Sequence, residues 1–171
     1  MRFDIGQTWD GEALDERERV SLEVLMIGET LTVLVDAPFH GDPLPVADVG
    51  SVHGLWEYEV VELFLLGDDE RYFELELGPG GHYLALKLHG VRCPTASGLP
   101  VSFTAKVTGN RWQGRASVPR SYLPEGPLRA NAYALHGQGE ARRYLAFRAV
   151  KGERPDFHRL DVFEPVVLCP L

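Results

Sequence analysis

Cysteine is scarce in this sequence: 171 residues carry two, Cys93 and Cys169. Two cysteines in a chain this long make no disulfide framework, so its own core has to hold the fold. Reduced thiols and a cytoplasmic setting are the expectation. Long apolar runs are missing too. None approaches the roughly 20 residues of a membrane span. The start, Met1-Arg2-Phe3-Asp4-Ile5-Gly6, has no signal-peptide apolar core. Positive charge is short, with 17 Lys and Arg against 25 Asp and Glu and a net charge of −8. That balance argues against nucleic acid and against an anionic membrane as partners. Catalytic motifs are short as well. There is no His-x-x-x-His spacing, no glycine-rich phosphate loop, no nucleophile elbow and no Cys–His pairing.

What is present points to a β-protein. The chain has 44% hydrophobic and 25% charged residues, the balance of an ordinary globular domain. Its 18 Gly and 12 Pro punctuate short apolar runs. We read one domain over residues 1–171. Its fold class is all-β, a single antiparallel β-sandwich of about ten strands with a jelly-roll-like look. The organising stretch is Leu55 to Leu66, read as one long central strand. Side chains alternate between two faces of a strand. Both faces turn apolar toward its C-terminal end, which suits a strand covered on both sides. Glu62 is the odd residue there, a carboxylate between Val60 and Phe64. An ionised group in such a place needs a partner or a ligand.

Around that strand the pattern predicts a hairpin, Val20–Ile27 with Leu31–Ala37. A long loop follows from Pro38 to Gly54, too rich in proline and glycine for regular structure. Runs at Arg71–Leu77 and His82–His89 complete an expected meander. Its register is open, and one arrangement gathers Glu62, Glu74 or Glu76, Lys87, Tyr72 and Tyr83 on one face.

Several stretches resemble a known family. Asp4-Ile5 through Trp9-Asp10-Gly11, Ala37-Pro38-Phe39 through Asp42-Pro43, Leu55-Trp56 through Glu62, and Pro155-Asp156-Phe157-His158 are similar to an uncharacterised family of bacteria and animals. A more distant resemblance is to family 9 carbohydrate-binding modules and the DOMON-like β-sandwiches. It rests on Val61-Glu62-Leu63-Phe64, Tyr72 to Glu76, Trp112 through Pro119, Asn131 and Phe157-His158. It implies a saccharide held between two aromatic rings, with calcium in a structural role. Trp56 falls where one ring belongs. Between Asn131 and His158, where the second tryptophan belongs, the sequence has none, and Tyr144 and Phe147 are the rings read in its place. The DOMON-like group also implies haem, held by Met with His or Lys.

The candidate ligand-binding residues are Trp56, Tyr58, Glu62, Glu74, Tyr144 and His158. An aromatic face meets the C–H face of a sugar while a carboxylate accepts its hydroxyl protons. Against this, Trp56 can anchor the long loop to the core. Glu74 and Glu76 can form salt bridges with Lys87, Arg71 or Arg148, and His158 can fix its own loop. His40 and His53 frame the long loop. No cofactor is expected. Calcium through Asp36, Asp42 or Asp48 and haem through Met26 with a histidine are the alternatives. The function that follows is non-catalytic binding of a saccharide or similar polar small molecule. Two alternatives remain: a small carbohydrate-active enzyme using Glu62 and His158 as acid and base, and a protein-interaction sandwich.

Overall fold

A computed structural model describes residues 1–168. Cys169, one of the two thiols expected to be reduced, lies outside the described residues. Thirteen strands run in the order β1 (Arg2–Ile5), β2 (Gln7–Thr8), β3 (Val20–Ile27), β4 (Thr30–Pro38), β5 (Val60–Leu66), β6 (Arg71–Leu77), β7 (Tyr83–His89), β8 (Pro94–Ser97), β9 (Ser102–Thr108), β10 (Arg111–Pro119), β11 (Leu128–His136), β12 (Arg143–Ala146) and β13 (Glu164–Val166). One sheet has five strands, in the order β1-β3-β4-β10-β9. The other has eight, in the order β2-β12-β11-β5-β6-β7-β8, with β13 also on β11. The ladders are antiparallel. The all-β sandwich is therefore as expected, and the strand count exceeds ten. Pro94–Ser97 adds an edge strand along β7, and the N-terminal residues form two short strands divided at Gly6.

Alternation explains the five-stranded sheet. In β3, Val20, Leu22, Val24 and Met26 are buried and every second residue is more exposed. Those side chains enter the core between the sheets with Leu63, Leu65, Phe73 and Leu75. The eight-stranded sheet differs, because every residue of β5 is buried. Its outer face carries a second apolar cluster, in which Phe64, Tyr72, Leu84 and Tyr133 meet Phe157 and Phe163 from the C-terminal loops. Tyr133 and Phe157 stack at 3.9 Å, and Phe64 sets its edge or face against Tyr133, His158 and Phe163. Each such pair adds about 0.5–1.5 kcal/mol beyond burial.

Two expectations about the organising stretch are corrected. Leu55–Glu57 is a 3₁₀ turn entered from Gly54 at φ 81°, and only Val60–Leu66 is strand. Trp56 therefore stands outside the sheet instead of alternating with Glu62. The register also settles the faces. Glu62 lies opposite Glu76, and Phe64 opposite Glu74. Lys87 pairs with Phe73 and Tyr83 with Leu77, so both belong to the other face. Lys87 donates to the Ser121 carbonyl at 2.9 Å and sits over the Tyr122 ring.

The long loop is tied down by a carboxylate. Glu59 is 4% exposed and accepts the backbone N–H groups of His40 and Asp42 at 3.1 and 3.4 Å. Burial still holds its pKa above the ordinary value, ahead of the opposing hydrogen bonds. Replacing Glu59 by Ala leaves those part-buried donors without this acceptor. The expected loss is about 2 kcal/mol in denaturant unfolding, with faster amide exchange at His40 and Asp42. Unchanged exchange at both amides would contradict this role.

Candidate functional site

The outer face of the eight-stranded sheet holds a cavity of about 480 Å³. Glu62 from β5 and Glu74 from β6 reach its floor. Leu135 and Tyr144 line it from β11 and β12, and Phe157 from the last loop. Trp56, Arg92, Arg142, Asp156 and His158 complete the wall. A groove of about 440 Å³ on the outer face of the five-stranded sheet is different in kind. Two of its charged residues are paired at the surface, Arg2 with Asp4 and Asp36 with Arg111.

The floor is not matched in this way. Glu62, Glu74 and Glu76 are 3%, 5% and 0% exposed. Both oxygens of Glu76 lack a hydrogen-bond donor. The salt bridges expected for this cluster go elsewhere: Arg71 pairs with Asp69, Arg148 with Glu164, and Lys87 is on the opposite face. Burial raises all three carboxyl pKa values. For Glu74 the result is about 7, and neighbouring carboxylate charge adds to the rise at Glu62 and Glu76. Two carboxyls can hydrogen-bond to each other only if one is protonated. Magnitudes favour that state. Holding one proton at pH 7 costs about 3 kcal/mol relative to a carboxyl of ordinary pKa. Two ionised carboxylates about 5 Å apart repel by roughly 3 kcal/mol even at an effective dielectric of 20. Desolvation adds several kcal/mol per ion. Protonation is the cheaper way out.

Trp56 is 38% exposed at the rim. Its ring meets the His53 ring at 5.1 Å, edge to face. Arg142 holds the turn that carries it, donating to the carbonyls of Trp56, Tyr58 and Gly137 at 2.6, 2.8 and 2.9 Å. Gly137 has φ +77°, and a Cβ there would lie 2.3 Å from the Ala141 carbonyl oxygen. Only glycine fits that corner. Trp56 is thus not a core anchor.

His158 faces the cavity beside Arg92 and Asp156, which pair at 2.8 Å. The Tyr72 hydroxyl accepts the Arg92 N–H at 3.0 Å and meets His158 Nδ1 at 2.7 Å. The hydroxyl oxygen has two lone pairs and one proton, so it can serve either tautomer of the His158 ring. Burial, then the charge of Arg92, lowers the His158 pKa to about 4, so the ring is neutral at pH 7. Arg92 itself sits at φ 57°, an uncommon conformation for a non-glycine residue.

Five of the six predicted residues, Trp56, Glu62, Glu74, Tyr144 and His158, line this one cavity. The Tyr58 side chain packs against the outer apolar cluster instead, and only its carbonyl serves the site. His53 lines the cavity, whereas His40 stacks on His136 at 3.5 Å away from it. Asp36 is bound to Arg111 and Gln113, and Asp42 to the Gly137 N–H. Met26 packs in the core between the sheets. Among the described residues no group of three or more His, Cys, Asp or Glu is arranged to hold a metal ion. Sequence reasoning missed Arg92 and Arg142. Both sit in loops, where no periodicity marks a side chain as inward.

Comparison with known proteins gives relatives over nearly the full chain. No family model matches. The UPF0462 protein C4orf33 homologue of Mus musculus is 38% identical over 174 residues, covering 96% of this chain and 90% of the mouse protein. The human UPF0462 protein C4orf33 is 37% identical over 173 residues, with 96% and 86% covered. Among solved structures, a candidate carbohydrate-binding protein of Bacteroides uniformis superposes with a TM-score of 0.74 at 16% identity, covering 96% of this chain and 84% of that one. A family 9 carbohydrate-binding module of Caldicellulosiruptor kristjanssonii, in complex with glucose, gives 0.55 at 13% identity, covering 85% and 73%. At these identities the likeness is one of fold.

The carboxyl cluster sets a pH dependence. Between the ordinary carboxyl value of 4.5 and about 7, the unfolded chain releases a proton that folded Glu74 keeps. Its contribution to stability is therefore full at low pH and lost as pH rises through that window. His136 and His158, held at about 4, act in the opposite sense only up to 6.5. Because Glu62 and Glu76 are raised well above 4.5 as well, the fall continues past Glu74's own window, and urea unfolding between pH 6.5 and 8 should show wild-type stability dropping by about 1 kcal/mol. Glu76→Gln should be flatter and more stable at pH 8. Equal slopes for the two proteins would refute the cluster's protonation.

Proposed function

The chain belongs to the UPF0462 family, and from that premise we propose that it is a non-catalytic binding module for a saccharide or a similar polar small molecule. One observation carries this reading. An exposed tryptophan, Trp56, stands at the rim of a cavity that carboxyls line together with the rings of Tyr144 and Phe157. Sugars present C–H faces to such rings and hydroxyl donors to such oxygens. The cavity volume is in the range of small-molecule sites. The fold shared with a family 9 module solved with glucose supports the class of ligand. The site needs no metal in this reading, and the acidic chain has no nucleic-acid partner. A cytoplasmic setting with reduced thiols is part of the proposal.

A second reading has its own observation. Glu62 and His158 line the same cavity, one with a raised and one with a lowered pKa. Divergent pKa values are the signature of an acid–base pair. Release of the aryl group from nitrophenyl glycosides, abolished in Glu62→Gln, would favour this enzyme over the module.

The module is tested by thermal shift with glucose, cellotriose and other saccharides, with and without calcium. A saccharide at about 100 times its Kd adds roughly 2.7 kcal/mol, a rise of several degrees in Tm. Trp56→Ala should keep its own Tm within about a degree, because the ring is at the surface, and should lose the ligand shift. If no saccharide shifts the wild type, the module reading fails.

A further inference from the structure

We infer that the floor of the cavity is a seat for a protonated amine carried by the ligand, so that the preferred ligands are amino sugars. This rests on the saccharide reading above and names the class within it.

The charges carry the inference. Glu62 and Glu74 line the cavity, and Glu76 lies directly across the strand pair from Glu62. Two cations share the cavity wall; Arg142 and Arg92 partly offset the rise at Glu62 and Glu74, but their hydrogen bonds go elsewhere. Arg92 is paired with Asp156. Arg142 is bound to three backbone carbonyls. No lysine or arginine of the described residues forms an ion pair with the floor. Glu62 is nevertheless 97% removed from solvent at 3% exposure and opens onto the cavity. In the free protein a retained proton relieves this floor, and a cation brought by a ligand can take that proton's place. The described residues offer no arrangement for a metal ion. The cavity, at about 480 Å³, accommodates an organic molecule.

An amine fits this floor better than a hydroxyl does. An ammonium group brings three donors and a charge, and charge-assisted hydrogen bonds are roughly twice as strong as neutral ones. The rings of Trp56, Tyr144 and Phe157 favour a cation beside them as well as a sugar face. An acidic sugar meets the opposite situation, a carboxylate brought against carboxyls.

Titration calorimetry near pH 7 tests this with D-glucosamine, glucose, N-acetylglucosamine, glucuronic acid and cyclohexylamine. Glucosamine should bind at least tenfold more tightly than glucose or N-acetylglucosamine, and glucuronic acid more weakly than glucose. Glu62→Gln should reduce glucosamine affinity by about tenfold while changing glucose affinity less than threefold. Glu74→Gln serves as the second variant, with the same expected direction. Equal binding of glucosamine, glucose and N-acetylglucosamine would overturn the amine seat and leave the saccharide module standing. Cyclohexylamine binding as tightly as glucosamine would support the seat and overturn the saccharide frame. Binding of none of the five would overturn both.

Discussion

Three carboxyl groups with no ion pair among the described residues share one face of the central sheet, and the outer half of the molecule is arranged around them. Glu62, Glu74 and Glu76 cannot all be ionised in that position, because repulsion and desolvation together exceed the cost of holding a proton. Apolar and aromatic neighbours maintain the problem. Phe64, Leu84 and Tyr133 keep water from the strands, while the C-terminal loop lays Phe157 and Phe163 over them. Stability that the sandwich core supplies is partly offset here. Such offsets concentrate at functional sites.

Glu59 shows what the alternative looks like. It lies three residues before Glu62 and is almost equally buried. Its carboxylate has backbone N–H groups from the long loop as partners, so it acts as a tether. Glu62 has none of these and opens onto a cavity. One segment thus contains a carboxylate held by backbone donors and one that faces a cavity without them, and the difference is the supply of donors rather than burial.

Much of the fold was legible because alternation is a local signal. The expected strands correspond to observed ones, and Glu62 stood out between Val60 and Phe64 before any register was known. The errors arose where geometry is not local. Trp56 and Tyr58 continue the period of two, yet the left-handed Gly54 starts a turn that lifts them off the sheet. Lys87 and Tyr83 were put beside the glutamates because a shift of one residue in register exchanges the faces. Arg92 and Arg142 were invisible for a further reason. Their roles depend on carbonyls and a carboxylate about 60 to 90 residues away in sequence. Tyr144 and His158 were found through the resemblance, since nothing in their own spacing marks them.

The protonation of the carboxyl cluster is the central claim, and carbon-13 NMR of the glutamate side-chain carboxyls follows it directly. With Glu62→Gln, Glu74→Gln and Glu76→Gln used to assign the signals, the account predicts that the cluster titrates well above the ordinary 4.5, with a step near 7. Titration of all three groups near 4.5 would contradict it, and the cavity floor would then be an ordinary solvated acidic surface.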